Sequence, residues 1–411
     1  MKRIYTYLLT GMVFLIGLSG CDATTQKEKP PNKLLLISFD GFRYDYLDKV
    51  ETPKFDQFVE EGVKAKSLIP VFPSETFPNH YSIATGLYPE DTGIVGNTMY
   101  DPEWDEWYRI SDNKAVQDGK WYGGEPIWNT LEKQDIRTGT MFWVGSEADI
   151  QDMRPTYWKS YDGSMPYQAR IDTVTKWMTA SGDRSVDFAT LYFSLVDNAG
   201  HRYGPDSDSV KIAIKKADQI VGYLREQLQN AGLWNRLNII ITSDHGMTEL
   251  SGKKIIEVDD IIDMDNIKRE IWGPLAMLQP KEGKEQDVYN TLKKNENHHR
   301  VYKKENIPER YHLKNNRRVM DIAMVADLGY TFVQSDYKPR FLESLPGGTH
   351  GYDPREKEMH AIFMARGPAF KEDAIVPSFQ NVHIYELMNY LMGTSPAPND
   401  GSLDSVRVLL K

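Results

Sequence analysis

The chain has 411 residues, enough for one large α/β domain with an insertion or for two ordinary domains. With 40% hydrophobic and 26% charged residues its composition is that of a globular protein, which excludes a largely disordered chain. The formal net charge of −10 denies it the broad basic surface that binding to polymeric nucleic acid needs, while a small anionic substrate held by local cations stays open.

Lys2 and Arg3 precede an apolar run, Leu8 to Leu18, that is short for a bilayer span and has the form of a signal-peptide core. It ends in Leu18-Ser19-Gly20-Cys21, which resembles a bacterial lipoprotein box. The expectation is a signal peptide over residues 1–20, lipidation at Cys21, and an exported protein of the bacterial cell envelope that meets the membrane through its lipid alone. Cys21 is the single cysteine, so an internal disulfide is excluded and stability rests on core burial. Residues 21–33 are polar and contain Pro30 and Pro31, the composition of a flexible tether.

The folded part starts at Leu34-Leu-Leu-Ile-Ser-Phe39, a continuous apolar run suited to a strand buried on both faces. Similar runs are Thr140–Val144, Phe188–Val196, Leu237–Thr242 and Ala361–Ala365. Between them, residues 209–229 carry Val210, Ile214, Ala217, Val221, Leu224 and Leu228 at helical spacing. Buried strands alternating with amphipathic helices predict an α/β fold, a mostly parallel central sheet with helices on both faces. Residues 251–340 are richer in Lys, Glu and Asn and read as an inserted smaller subdomain, leaving 34–250 and 341–411 as the catalytic domain.

In such sheets ligands bind beyond the carboxyl ends of the strands. Asp40, Asp197 and Asp244 each follow one of the apolar runs, so they converge on one edge. Asp197-Asn-Ala-Gly-His201 adds an imidazole four residues on, Asp244-His245 adds one directly, and Gly347-Gly-Thr-His350-Gly351 adds a third. Any one Asp–His pair is more often a hydrogen-bonded turn than a metal site. Three Asp and three His at strand ends and in glycine loops are together enough for two Zn²⁺ ions with open positions.

The candidate nucleophile is Thr76, in Pro73-Ser-Glu-Thr76-Phe-Pro78-Asn-His80-Tyr-Ser-Ile-Ala-Thr-Gly86. Pro78 fits the first turn of a helix running to about Thr85, which places Thr76 at its positive end. The segment alone leaves two readings equal, a nucleophile activated by metal or an ordinary helix cap.

At this point the sequence resembles a known family. Thr76-Phe-Pro-Asn-His-Tyr, Gly86-Leu-Tyr-Pro, Gly93-Ile-Val-Gly-Asn97-Thr-Met, Asp197-x-x-Gly-His201, Ser243-Asp-His-Gly-Met247 and Gly348-Thr-His-Gly351 occur in the order seen in the nucleotide pyrophosphatase/phosphodiesterase family of the alkaline phosphatase superfamily. The resemblance runs from about Leu34 to about Pro368. It implies two zinc ions, one held by Asp197, His201 and His350, the other by Asp40, Asp244 and His245 with Thr76 bound as nucleophile. It implies that Asn97 donates to a phosphoryl oxygen and that Phe77 and Tyr161 sandwich a nucleotide base. Tyr192 is added as a pocket-facing candidate, with core packing an equal alternative. The implied activity is zinc-dependent hydrolysis of phosphodiester or pyrophosphate bonds in nucleotides through a threonine-linked intermediate.

The chain also departs from that pattern. Some nucleotide-preferring relatives carry Lys just before the nucleophile, where this chain has Glu75, an acid expected to repel extra phosphates. A sulfatase is excluded, because no Cys or Ser of the required context stands near Thr76. Phosphomonoester or phosphonate hydrolysis, and a non-enzymatic zinc- or nucleotide-binding lipoprotein, are the competing readings. His80, His298, His299, His312, His360 and His383 are expected to be structural or on the surface.

Overall fold

Along Leu34–Phe39 the side chains alternate between two separate cores. Leu34 and Leu36 enter one, while Leu35, Ile37 and Phe39 enter the other. Ile240 and Ile239 divide the same way in Leu237–Thr242. Alternation with both faces apolar is what a strand covered on both sides requires. The structure, a computed structural model, describes Met1 and residues 33–411; the signal segment, the tether up to residue 32 and Cys21 lie outside the described residues.

The central sheet has eight strands in the order Ala374–Val376, Gly62–Ala65, Phe363–Arg366, Leu237–Thr242, Lys33–Phe39, Phe188–Phe193, Thr138–Met141 and Tyr157–Lys159. All run parallel except Phe363–Arg366, which is antiparallel to both neighbours. Helices Thr76–Thr85, Ile127–Glu132 and His383–Met392 contribute to the core on one face. Helices Pro53–Glu60, Tyr167–Thr179 and Asp208–Asn230 contribute to the other. The last of these buries the stripe read from the sequence, and the Ser207 side chain caps it by accepting from the Val210 N–H.

Two expected strands are shorter than their apolar runs. Thr138–Met141 stops before Phe142, whose φ of 67° turns the chain away. Phe188–Phe193 stops because Leu195 opens a helix, Leu195–Tyr203. Trp143 and Val196 are nevertheless buried. An apolar run reports burial, and burial continues through a turn or into a helix.

Within residues 251–340 lies a four-stranded antiparallel sheet ordered Ile267–Ile271, Leu275–Pro280, Ile322–Ala326 and His299–Lys303. Ala276, Leu278, Ile322 and Met324 face a core of their own, whereas Leu275, Met277, Ala323 and Val325 join one core of the central sheet. Among the described residues, no helix is long and apolar enough to cross a membrane.

Candidate metal centre and nucleophile

Three neighbouring central strands, Leu237–Thr242, Lys33–Phe39 and Phe188–Phe193, end at the same edge, and the acids that follow them meet there. Asp197 lies in the first turn of the helix Leu195–Tyr203 rather than directly at the end of a strand. The four-residue spacing therefore puts Asp197 and His201 on one helical face, Oδ1 and Nε2 3.3 Å apart. Gly41, at φ 65°, allows this close approach: a Cβ there would sit 2.8 Å from the Asp197 Cα. The Asp197 N–H donates to the Asp40 carbonyl at 3.0 Å and locks helix to strand end. His350 follows Gly348–Thr349, which pairs with Thr248–Glu249 as a short antiparallel bridge and so is more ordered than a free glycine loop.

The ligand-capable atoms form two groups, Asp40/Asp244/His245 and Asp197/His201/His350, each with its atoms within 4.8 Å of one another. The two groups touch, for the rings of His245 and His350 stack with centroids 3.5 Å apart. Hydrogen bonds assign the tautomers. His245, His201 and His350 each direct Nδ1 to a backbone carbonyl, of Gly246, Gly348 and Ser74, at 2.8, 2.9 and 2.8 Å. Each Nδ1 is thereby the donor, and each Nε2 is the nitrogen that faces the two groups. The Nε2 atoms of His201 and His350 face each other at 3.1 Å, an arrangement that suits a shared cation. Asp40 Oδ1, Asp197 Oδ1 and Asp244 Oδ2 are buried without a hydrogen-bond partner. Oxygen and imidazole donors, three per group, fit divalent metal ions.

The electrostatics show the same demand for positive charge. Burial, Asp244 and Asp197 push Asp40 well above the usual carboxylate range. Burial raises Asp244 too, but His245 and His80 outweigh it and hold the group well below its ordinary value. Burial opposes the charged form of His245, yet Asp244, Asp40 and Asp197 push it up to about 10. Burial and the neighbouring His245 and His201 hold His350 well below the ordinary histidine value. Crowded carboxylates and imidazoles of this kind are compensated by a bound cation.

Thr76 is the first residue of the helix Thr76–Thr85, and Oγ1 lies 3.2 Å from His245 Nε2. The residue in the N-cap position is Glu75, so Thr76 is not the helix cap, and its hydroxyl meets His245 of the ligand-capable group. Asn97 Oδ1 accepts the Phe77 N–H at 3.0 Å, which leaves the Asn97 amide NH₂ as the free donor. Tyr161 is 50% exposed and meets Phe142 and Tyr192 edge-on, which removes core packing as its explanation. Phe77 is half-buried beside Tyr108. Tyr192 does reach the site, but its hydroxyl donates to Asp40 Oδ2, so it orients a ligand carboxylate.

Two further residues belong to the site and were not picked out for it from the sequence, and a third, Glu75, has a role other than the one expected. His80, one turn after Thr76, is fully buried with Nδ1 3.0 Å from the Thr76 carbonyl and 3.3 Å from Asp244 Oδ2. Its spacing of four from Thr76 was the available signal. Glu147 is buried and accepts the Tyr161 N–H at 2.6 Å, and nothing in the spacing announces it. Glu75, expected as a charge facing phosphates, accepts the Asn97 N–H at 2.6 Å. Burial pushes its carboxyl up, against the Asn97 N–H and His245. The carboxylate thus ties the residue before Thr76 to Asn97, while Asn97 ties back to Phe77.

Comparison with known proteins accords with this geometry. The family model described as type I phosphodiesterase / nucleotide pyrophosphatase matches residues 34–353. A human bis(5'-adenosyl)-triphosphatase is 38% identical over 413 residues, covering 100% of this chain and 87% of the relative. Human ectonucleotide pyrophosphatase/phosphodiesterase family member 5 is 37% identical over 398 residues, covering 97% and 82%. The solved structure of murine ectonucleotide pyrophosphatase/phosphodiesterase 5 has a TM-score of 0.88 at 37% identity, covering 92% of this chain and 100% of that one. An inactive threonine-to-alanine variant of that murine protein, in complex with AMP, superposes equally well with a TM-score of 0.88. The chain belongs to the type I phosphodiesterase / nucleotide pyrophosphatase family of the alkaline phosphatase superfamily and is a hydrolase of phosphodiester and pyrophosphate bonds.

Proposed function

We propose that this protein is a two-zinc nucleotide phosphodiesterase that releases a nucleoside 5'-monophosphate through a phosphoryl ester on Thr76. The observation that carries the reading is the Thr76 hydroxyl at a helix N-terminus, 3.2 Å from His245 Nε2 and beside two ligand groups with fixed tautomers. The murine relative bound to AMP, inactive as a threonine-to-alanine variant, supports the nucleotide and the nucleophile. Asp40, Asp244 and His245 would hold one zinc and Asp197, His201 and His350 the other. Zinc in these groups supplies Lewis acidity and neutralises charge on the phosphoryl oxygens. Thr76 Oγ1 attacks phosphorus in line, forming the Thr–O–P bond as the first alkoxide leaves. Water then cleaves that ester and frees the monophosphate. The Asn97 amide and the helix N-terminus stabilise the negative equatorial oxygens during both steps. Phe77 and Tyr161 bind the base by stacking, which tolerates any base.

Hydrolysis of p-nitrophenyl thymidine 5'-monophosphate tests the proposal, with EDTA and zinc add-back. Zinc-dependent release of p-nitrophenol and TMP is the expected result; none from folded, zinc-loaded protein would sink it. Parallel rates on bis-p-nitrophenyl phosphate and p-nitrophenyl phosphate decide between diester and monoester cleavage. We further propose that the mature chain is anchored in the bacterial envelope through lipid on Cys21. Palmitate labelling that disappears in Cys21→Ser, together with loss of the protein from the membrane fraction, is the check.

A further inference from the structure

The leaving group of this reaction has walls of its own, and they come from residues to which the chemistry above assigns nothing. In an in-line displacement the leaving oxygen departs from the side of phosphorus opposite the nucleophile. Thr76 lies against His245, in one ligand group, so the departing group points toward the other group, with His201 and His350. Those two histidines line a cavity of about 250 Å³. The cavity is also lined by Ile271, Trp272, Pro274 and Leu275, at the turn between strands Ile267–Ile271 and Leu275–Pro280.

Among the described residues no lysine or arginine lines this cavity, and the carboxylate that does is Glu75. Positive side chains begin only in the adjoining groove, where Arg109, Lys268 and Arg269 lie, and which shares Thr98, Ile271 and Trp272 with the cavity. Beyond the cation that His201 and His350 would hold, a phosphate reaching this wall gains no lysine or arginine among the described residues and meets the Glu75 carboxylate. An apolar group gains there by burial, and the Trp272 ring gives it a face to stack on.

We propose that residues 271–275 form the leaving-group pocket and that it takes an uncharged apolar or aromatic alcohol in preference to a phosphate. The favoured substrates are then nucleotide diesters with an alcohol on the leaving side, ahead of nucleoside triphosphates. The inference rests on the assignment of Thr76 as nucleophile.

Thymidine triphosphate and p-nitrophenyl thymidine 5'-monophosphate test it, because both transfer TMP and differ only in the leaving group. The quantity to measure is the ratio of their kcat/KM values in wild type, Trp272→Ala and Glu75→Gln, with circular dichroism melts to verify folding. Trp272→Ala should lower kcat/KM for the aryl ester about tenfold and for the triphosphate about twofold or less. Glu75→Gln keeps an acceptor for the Asn97 N–H and should shift the ratio toward the triphosphate about tenfold. If Trp272→Ala does not fold, Trp272→Leu takes its place, with the same shift expected in smaller degree. Equal losses on both substrates, leaving the ratio unmoved in both variants, would overturn the pocket alone. No turnover of either ester by zinc-loaded wild type would overturn the pocket together with the function beneath it.

Discussion

Asp40, Asp244 and His245 are all buried at the ends of neighbouring central strands, whereas Asp197 and His201 ride on a helix and the His201 side chain is 44% exposed. The first group is wired into the sheet: Asp244 Oδ1 accepts the Gly41 N–H and Tyr192 donates to Asp40. The second group is closed by His350, carried on a two-residue bridge strand. The difference fits the tasks proposed for them. A nucleophile must be held in one place, since a small misplacement is costly in rate, whereas the side that receives and releases the leaving group must stay accessible.

The largest expected effect tests whether the buried group serves Thr76. Thr76→Ala should lower kcat by about 10⁴-fold or more while the melting temperature and bound zinc hold, as stopped-time assays and metal analysis would report. Wild-type turnover in that variant would end the nucleophile assignment. His201→Ala tests the open group. It should weaken one zinc at least about 100-fold and leave one zinc per chain on dialysis, with activity gone. Loss of both ions together would erase the contrast between the groups.

Asn97→Ala removes the amide donor and should cost kcat about 10²-fold with little change in KM. The pH dependence of metal loading sharpens the comparison further. In the metal-free protein His245 is pushed up to about 10, above its ordinary value, so at neutral pH it carries a proton that the metal must displace. Zinc affinity of the buried group should therefore rise about tenfold per pH unit until pH approaches that value. His350 is held low and gives up no proton, so the open group should load with a flatter profile. Calorimetry in buffers of different ionisation enthalpy counts the protons released. The smallest effect is expected for Tyr161→Ala, where loss of a half-exposed stacking ring should raise KM about fivefold at nearly constant kcat. A fall in kcat with unchanged KM would mean Tyr161 serves the reacting centre instead of the base.

Much of this was readable from the chain because short motifs sit at strand ends. Leu237–Thr242 followed by Asp244-His245 states both a buried strand and the ligands just beyond it. The helix of Val210, Ile214 and Leu228 was equally plain, since burial repeats at helical spacing. Asp197 reads as a strand-end residue because the apolar run Phe188–Val196 hides the change from strand to helix at Leu195. Glu147 and Trp272 carried no signal. Glu147 is placed by its bond to the Tyr161 N–H and Trp272 by a cavity it shares with His201 and His350, all brought together by the fold.

The sequence by itself determined the family, the mostly parallel sheet and the Asp and His residues gathered beyond its strands, because these follow from residue identity and local spacing. Only the tertiary structure decided that each of these histidines commits Nδ1 to a backbone carbonyl and that Glu75 is turned onto the Asn97 N–H. It also decided that Ile271–Leu275 closes the leaving-group side. The physical reason is that a tautomer, a buried carboxylate and a cavity wall are each set by whichever group packs alongside, and such neighbours are far apart in the chain.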